Sequence, residues 1–102
     1  MAHRLIRYRT RPERADSNQA LVQTVFAELR ARQVEGLRYL VLRAPGETFL
    51  HLVTVEPGND TARLTSLPSF QEFQREIRER CLEQPEPGEV TIVGNPRMLL
   101  LP

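Results

Sequence analysis

The chain has 102 residues, 40% of them hydrophobic and 26% charged, with 14 basic side chains against 13 acidic ones. One globular domain over residues 1–102 is expected, large enough for a core without disulfide or metal staples. A formal charge of +1 gives no net field to draw nucleic acid or anionic lipid.

All 14 basic residues are arginine, so Schiff-base and phosphate-loop lysine chemistry is excluded. The single Cys81 excludes an intramolecular disulfide and a cysteine zinc site, and suits a reducing cytosol. The N-terminus MAHRLIRYRT lacks the apolar core of a signal peptide, and no apolar run has the length of a membrane span. A cytoplasmic chain with no membrane partner is expected.

In chain order, RLIRYRT (residues 4–10) reads as a strand and RPERAD breaks it. Asp16 and Gln19 have capping-box spacing, with Ser17 a neighbouring candidate cap. Leu21, Val22, Val25, Phe26 and Leu29 then recur at helical spacing, so an amphipathic helix should run to near Gly36. LRYLVLR and TFLHLVTVE flank the turn signal APGE and predict a hairpin over residues 37–56, pivoting on Pro45-Gly46. PGNDTAR is expected to be a loop. In LPSFQEFQREIRERC, Phe70, Phe73, Ile77 and Cys81 fall on one stripe, which predicts a second helix with Ser69 and Glu72 as its capping box. EQPEPGE should end it, VTIVG should be the last strand, and NPRMLLLP an apolar tail.

The order βαββαβ is the ferredoxin-like arrangement, an α+β fold with a four-stranded antiparallel sheet and two helices on one face. Side chains alternate between the faces of a strand. Phe49, His51, Val53 and Val55 fall on one face of the third segment, and Leu50 and Leu52 on the other. In the second segment Leu37, Tyr39 and Val41 oppose Leu40 and Leu42. Both faces are apolar, so something beyond two helices must cover the sheet. A homodimer through the open sheet face, closing a barrel around a twofold axis, is the economical answer. The competing reading is a central strand that is apolar on both sides of a monomer.

RYRTRPERADSNQALVQTVFAEL, GLRYLVLRAPGETFLHLVTVE and LPSFQEFQREIRERC resemble the dimeric α/β-barrel proteins of the antibiotic-biosynthesis-monooxygenase-like group, over about residues 4–99. The resemblance is to a branch with a tyrosine–arginine first strand, Gly-x-Arg-Tyr, Phe-x-His and Phe-x-x-Phe. It implies a homodimer with a small cavity between sheet and helices in each subunit. Several members of the group are cofactor-independent oxygenases of aromatic polyketides, and others degrade haem. Oxygenase and haem-degrading members tend to use a tryptophan with an asparagine, and this chain has no tryptophan. Its second helix also lacks the axial histidine that haem degradation needs. The fold therefore carries over, and those two site patterns do not.

Two roles fit His51: a general base or donor towards a small polar ligand, or a core histidine whose ring nitrogens are satisfied. With the hairpin turning at Pro45-Gly46, His51 would sit opposite Leu40, with no titratable partner beside it. Tyr8 and Tyr39 would line a cavity or fill core with their hydroxyls bonded to backbone. Phe70 and Phe73 are stripe residues that could also wall a cavity. Asn18 would cap the first helix or orient a ligand. Arg7, Arg9 and Arg11 recur with period two, as an anion site or paired with Glu13, Asp16 and Glu56. Cys81 reads as a small hydrophobe. Nothing calls for a cofactor, and two isolated histidines, His3 and His51, make no metal site.

The expected function is that of a cofactor-independent monooxygenase-like enzyme, or a binder of a small apolar or aromatic ligand between sheet and helices. Such an enzyme would deprotonate a phenol or enol in a water-poor cavity with His51 as the base. The alternatives are a non-catalytic structural dimer and a protein-interaction module using a strand or the RMLLL tail.

Overall fold

The computed structural model of the chain describes residues 2–94. Strand β1 (Ala2–Thr10) leads through a 3-10 turn (Pro12–Arg14) into helix α1 (Ala15–Ala31). The hairpin β2 (Leu37–Ala44) and β3 (Thr48–Val55) follows. Three short helices come next, α2 (Ala62–Thr65), α3 (Pro68–Gln74) and α4 (Ile77–Arg80), and β4 (Cys81–Glu89) ends the sheet. The four strands form an antiparallel sheet in the order β2-β3-β1-β4. This is the expected α+β, ferredoxin-like arrangement.

The core lies between one sheet face and the helices. Tyr8, Phe49 and Val53 of the sheet pack against Val22 and Val25 of α1 and against Leu64, Phe70 and Phe73 of α2 and α3. The period-two pattern of β1 and β3 explains why. Register pairs Tyr8 with Phe49 and Ile6 with His51, so these side chains share the helix-covered face. The other face carries two leucine-rich rows, Leu5–Leu52–Leu40 and Arg7–Leu50–Leu42. No element of the described chain covers them: Leu40 is 37% exposed and Leu42 52%.

The details depart from the sequence reading in six places. The hairpin closes on three residues, because Ala44 pairs with Thr48 and leaves Pro45, Gly46 and Glu47 in the loop. Gly46 (φ 79°) and Glu47 (φ 61°) are both left-handed there. His51 therefore lies opposite Val41, not Leu40. A one-residue slip exchanges every neighbour across the sheet.

The helix over LPSFQEFQREIRERC is broken. Arg75 leaves the helical region, Glu76 is left-handed at φ 60°, and a single further turn follows. Cys81 is then the first residue of β4, so the stripe from Phe70 does not continue on one helix. The last strand is CLEQPEPGE rather than VTIVG, which lies beyond it. Prolines 85 and 87 argue against a central strand, but β4 is an edge, where a missing N–H costs no ladder bond.

The expected caps do not form. Neither α1 nor α3 has a side-chain cap. Asp16 and Gln19 instead accept from Arg43 of β2 at 2.9 and 2.7 Å. The Ser69 N–H donates to the Glu28 carboxylate of α1 at 3.0 Å, which holds that carboxyl below its usual range. Finally, the loop after β3 contains α2, and the arginine pairs are redistributed. Arg7 and Arg9 meet Glu83 at 3.3 and 2.8 Å, and Arg38 meets Glu56 at 3.2 Å. Each of these side chains is more than a third exposed, so solvent screening leaves the pairs little stability. The apolar tail lies outside the described residues.

Candidate active site between sheet and helices

A cavity of about 310 Å³ opens between the sheet face and α2–α4. Tyr8, His51, Phe70, Phe73 and Tyr39 form its inner wall, and Pro85 and Pro87 of β4 form one side. Its volume falls at the lower end of small-molecule sites.

The polar groups on this wall are joined in one line. The Tyr8 hydroxyl lies 2.8 Å from Nε2 of His51, and the Tyr39 hydroxyl lies 2.6 Å from Nδ1. Asn18 of α1 donates through Nδ2 to the Tyr8 oxygen at 2.8 Å. Arg80, at the end of α4, donates through Nε to Oδ1 of Asn18 at 3.1 Å. Five elements thus meet in a single chain of bonds, Arg80–Asn18–Tyr8–His51–Tyr39. Aromatic contacts fix the rings. Tyr8 stacks on Phe49 (5.4 Å, 9°), Tyr39 stacks on Phe26 (5.0 Å, 14°), and Phe73 lies 5.4 Å from the imidazole.

The electrostatics follow from burial. His51 is 4% exposed, and loss of water pulls its pKa down to about 4, so the imidazole is neutral at ordinary pH. Burial pushes both tyrosine phenols well above their usual range. For Tyr39 the neighbouring Tyr8 adds to that rise, and for Tyr8 the Asn18 bond opposes it. Burial lowers the Arg80 pKa, yet guanidinium starts so high that it stays charged. Burial also raises the Cys81 thiol, which keeps it protonated at neutral pH and removes nucleophilic character.

All six residues singled out from sequence, His51, Tyr8, Tyr39, Asn18, Phe70 and Phe73, come together here. Asn18 does so as a fully buried link rather than a cap. Arg7, Arg9 and Arg11 do not line the cavity. Arg80 was missed, although a signal existed. It falls seven residues after Phe73 and three after Ile77, a lone cation on an apolar stripe. Both nitrogens of His51 are engaged by phenols. Among the described residues no group of three or more His, Cys, Asp or Glu side chains could hold a metal ion.

No family model matches the chain, and no curated protein sequence does so either. Solved structures do. A candidate antibiotic biosynthesis monooxygenase from Nitrosomonas europaea superposes with a TM-score of 0.75 at 9% identity, over 92% of this chain and 100% of that one. Another from Chloroflexus aurantiacus gives 0.66 at 24% identity, over 97% and 99%. A conserved protein from Methanosarcina mazei gives 0.70 at 17% identity, over 88% and 91%. The chain has the antibiotic biosynthesis monooxygenase fold. At these identities the likeness establishes that fold and no activity, since one fold hosts many chemistries. Among the described residues, no helix of the chain is long and apolar enough to cross a membrane.

Proposed function

We propose that the chain is a cofactor-independent, monooxygenase-like protein whose sheet–helix cavity binds a compact aromatic molecule through one ligand oxygen. The observation that carries this reading is the line of phenol and imidazole groups set into an otherwise apolar wall. Phe70, Phe73 and Ile6 supply area for a flat ring, and the Tyr39 hydroxyl supplies one directional contact. An apolar cavity also suits direct reaction with oxygen. An activated ring CH2 and O2 give a ring carbonyl and water, with both electron pairs drawn from the ligand, so no reductant is required. An imidazole with a pKa near 4 is a weak base. In this proposal His51 therefore holds and aims Tyr39 rather than keeping a proton taken from the ligand.

Tyr39→Phe tests the reading, because it removes the hydroxyl and keeps the ring on Phe26. Affinity for a naphthol probe, measured by calorimetry, should fall roughly tenfold, the scale of one hydrogen bond to a polar ligand. Unchanged affinity would remove Tyr39 from the site. Oxygen uptake that tracks loss of an anthrone-type substrate supports the enzyme. Tight binding with no uptake leaves a binder.

The open sheet face belongs to the same proposal. It is buried against a second copy, leucine rows against leucine rows, in a twofold homodimer. Leu40 and Leu42 carry this reading, being large, apolar and exposed at the centre of an otherwise ordered strand. Leu42→Arg should convert a dimer into a folded monomer in native mass spectrometry. A monomeric wild type would end the dimer proposal.

A further inference from the structure

Arg80 is 2% exposed, and among the described residues it makes no ion pair with a carboxylate. Its N–H groups go elsewhere. Nη1 donates to the Arg75 carbonyl at 2.7 Å and Nη2 to the Phe73 carbonyl. In an unbroken helix those two carbonyls would accept from Glu79 and Ile77, and the left-handed Glu76 frees them. The guanidinium thus fills the break between α3 and α4, and its remaining nitrogen, Nε, donates to Asn18.

That last bond has a direction. A guanidinium N–H can only donate, so the amide atom of Asn18 facing it is the oxygen. The amide nitrogen is then turned to Tyr8, and the Tyr8 oxygen accepts from it. Among the described residues the Tyr8 proton has one bonded acceptor, Nε2 of His51. Were Nε2 protonated instead, that hydroxyl proton would be stranded in a residue only 1% exposed, at a cost of about 1–3 kcal/mol. The favourable arrangement leaves Nε2 bare and the proton on Nδ1, which donates to the Tyr39 oxygen. The unspent hydroxyl proton is then the one on Tyr39, at the cavity wall.

We infer that Arg80 is a positioning residue that, through Asn18 and Tyr8, fixes the tautomer of His51 and makes Tyr39 a donor to the cavity, so that the site favours the ionised form of an acidic hydroxyl ligand. The inference rests on the proposed ligand role of the cavity. The wall agrees with it: among the described residues its one formally charged side chain is Arg4, and no carboxylate lines it. The titratable groups around the imidazole, Tyr8 and Tyr39, are held neutral by burial. Each bond in a line that begins at a cation polarises the next towards its donor end.

Nitrogen-15 NMR of the wild-type imidazole, without ligand and at neutral pH, tests the direction with no variant. A proton on Nδ1 of His51 is expected, and a proton on Nε2 would overturn the inference. Asn18→Asp supplies the second arm. It keeps an acceptor for Arg80 but takes the donor away from Tyr8, whose hydroxyl then turns to the new carboxylate. The His51 proton should move to Nε2, and Tyr39 should donate inward. Para-nitrophenol, whose two ionisation states absorb differently, reads the consequence. Wild type should bind the ionised form about tenfold more tightly, which lowers the midpoint of the bound probe by about one pH unit. Asn18→Asp should abolish that shift. An unchanged shift in the variant, or tighter binding of the neutral probe by wild type, would overturn the inference. If the proton sits on Nδ1 but neither probe form binds, the ligand role of the cavity falls and takes the anion preference with it.

Discussion

Acidification from pH 6.5 towards pH 4 should cost the folded chain on the order of 3 kcal/mol through His51. In the fold the imidazole resists its proton, because burial excludes the water that would solvate the charged ring. In the unfolded chain it titrates near the ordinary 6.5. Between the two pKa values the unfolded state binds more protons, so stability falls as pH falls. The contribution is complete above about 6.5 and fully lost once the pH drops below the folded value, where the native state also takes the proton. Carboxylates titrate near the lower end of this range, so the measurement is a difference. Urea unfolding of wild type and His51→Gln should diverge in pH slope across that window, with the flatter curve in the variant. Parallel curves would mean that the imidazole is hydrated in the fold.

Phe73→Ala should be the most damaging single truncation in the cavity wall, at about 3–5 kcal/mol. The ring is 4% exposed and lies among four members of the site. It lies 5.4 Å from His51, 5.7 Å from Phe70 and 6.4 Å from Tyr8, and the Arg80 guanidinium sits 5.4 Å above it. Its removal opens a void and exposes that cation to a less favourable surrounding. For a domain of this size the loss should lower the melting temperature by well over ten degrees, on the order of 4–8 °C per kcal/mol. A drop of only a few degrees would show that α3 collapses inward and refills the space.

These two residues also show how much of the molecule its sequence discloses. Alternation in TFLHLVTV placed Phe49, His51 and Val53 together, and the stripe from Phe70 to Ile77 brought Phe73 towards the same side. The βαββαβ order follows from such periodicities, and so do the aromatic members of the wall. The connectivity of the wall does not. His51 and Tyr39 become partners only because Glu47 accepts a left-handed conformation and lengthens the turn by one residue. A turn tripeptide that tolerates two loop lengths carries no register. The break at Glu76 is equally silent, because every residue around it favours a helix. What stabilises the break is Arg80 gathering the freed carbonyls, a tertiary contact that local preference cannot report. The strand CLEQPEPGE was hidden for a related reason. Its prolines count against a strand until the neighbour on its far side is known to be absent.

Those prolines have a consequence for how copies of the chain can meet. A border strand normally offers a free rail of N–H and C=O groups, on which a neighbour's strand can lengthen the sheet without limit. Here Pro87, opposite Ile6, has no N–H to offer, and Pro85 two residues earlier has none either. Any strand docking on that rail would find two rungs missing within three residues. Growth by edge-on stacking is thereby discouraged along β4, while the leucine rows on the flat of the sheet stay open. The same two rings that wall the cavity thus discourage open-ended growth along this edge and leave the flat of the sheet as the surface on which the proposed pair would close.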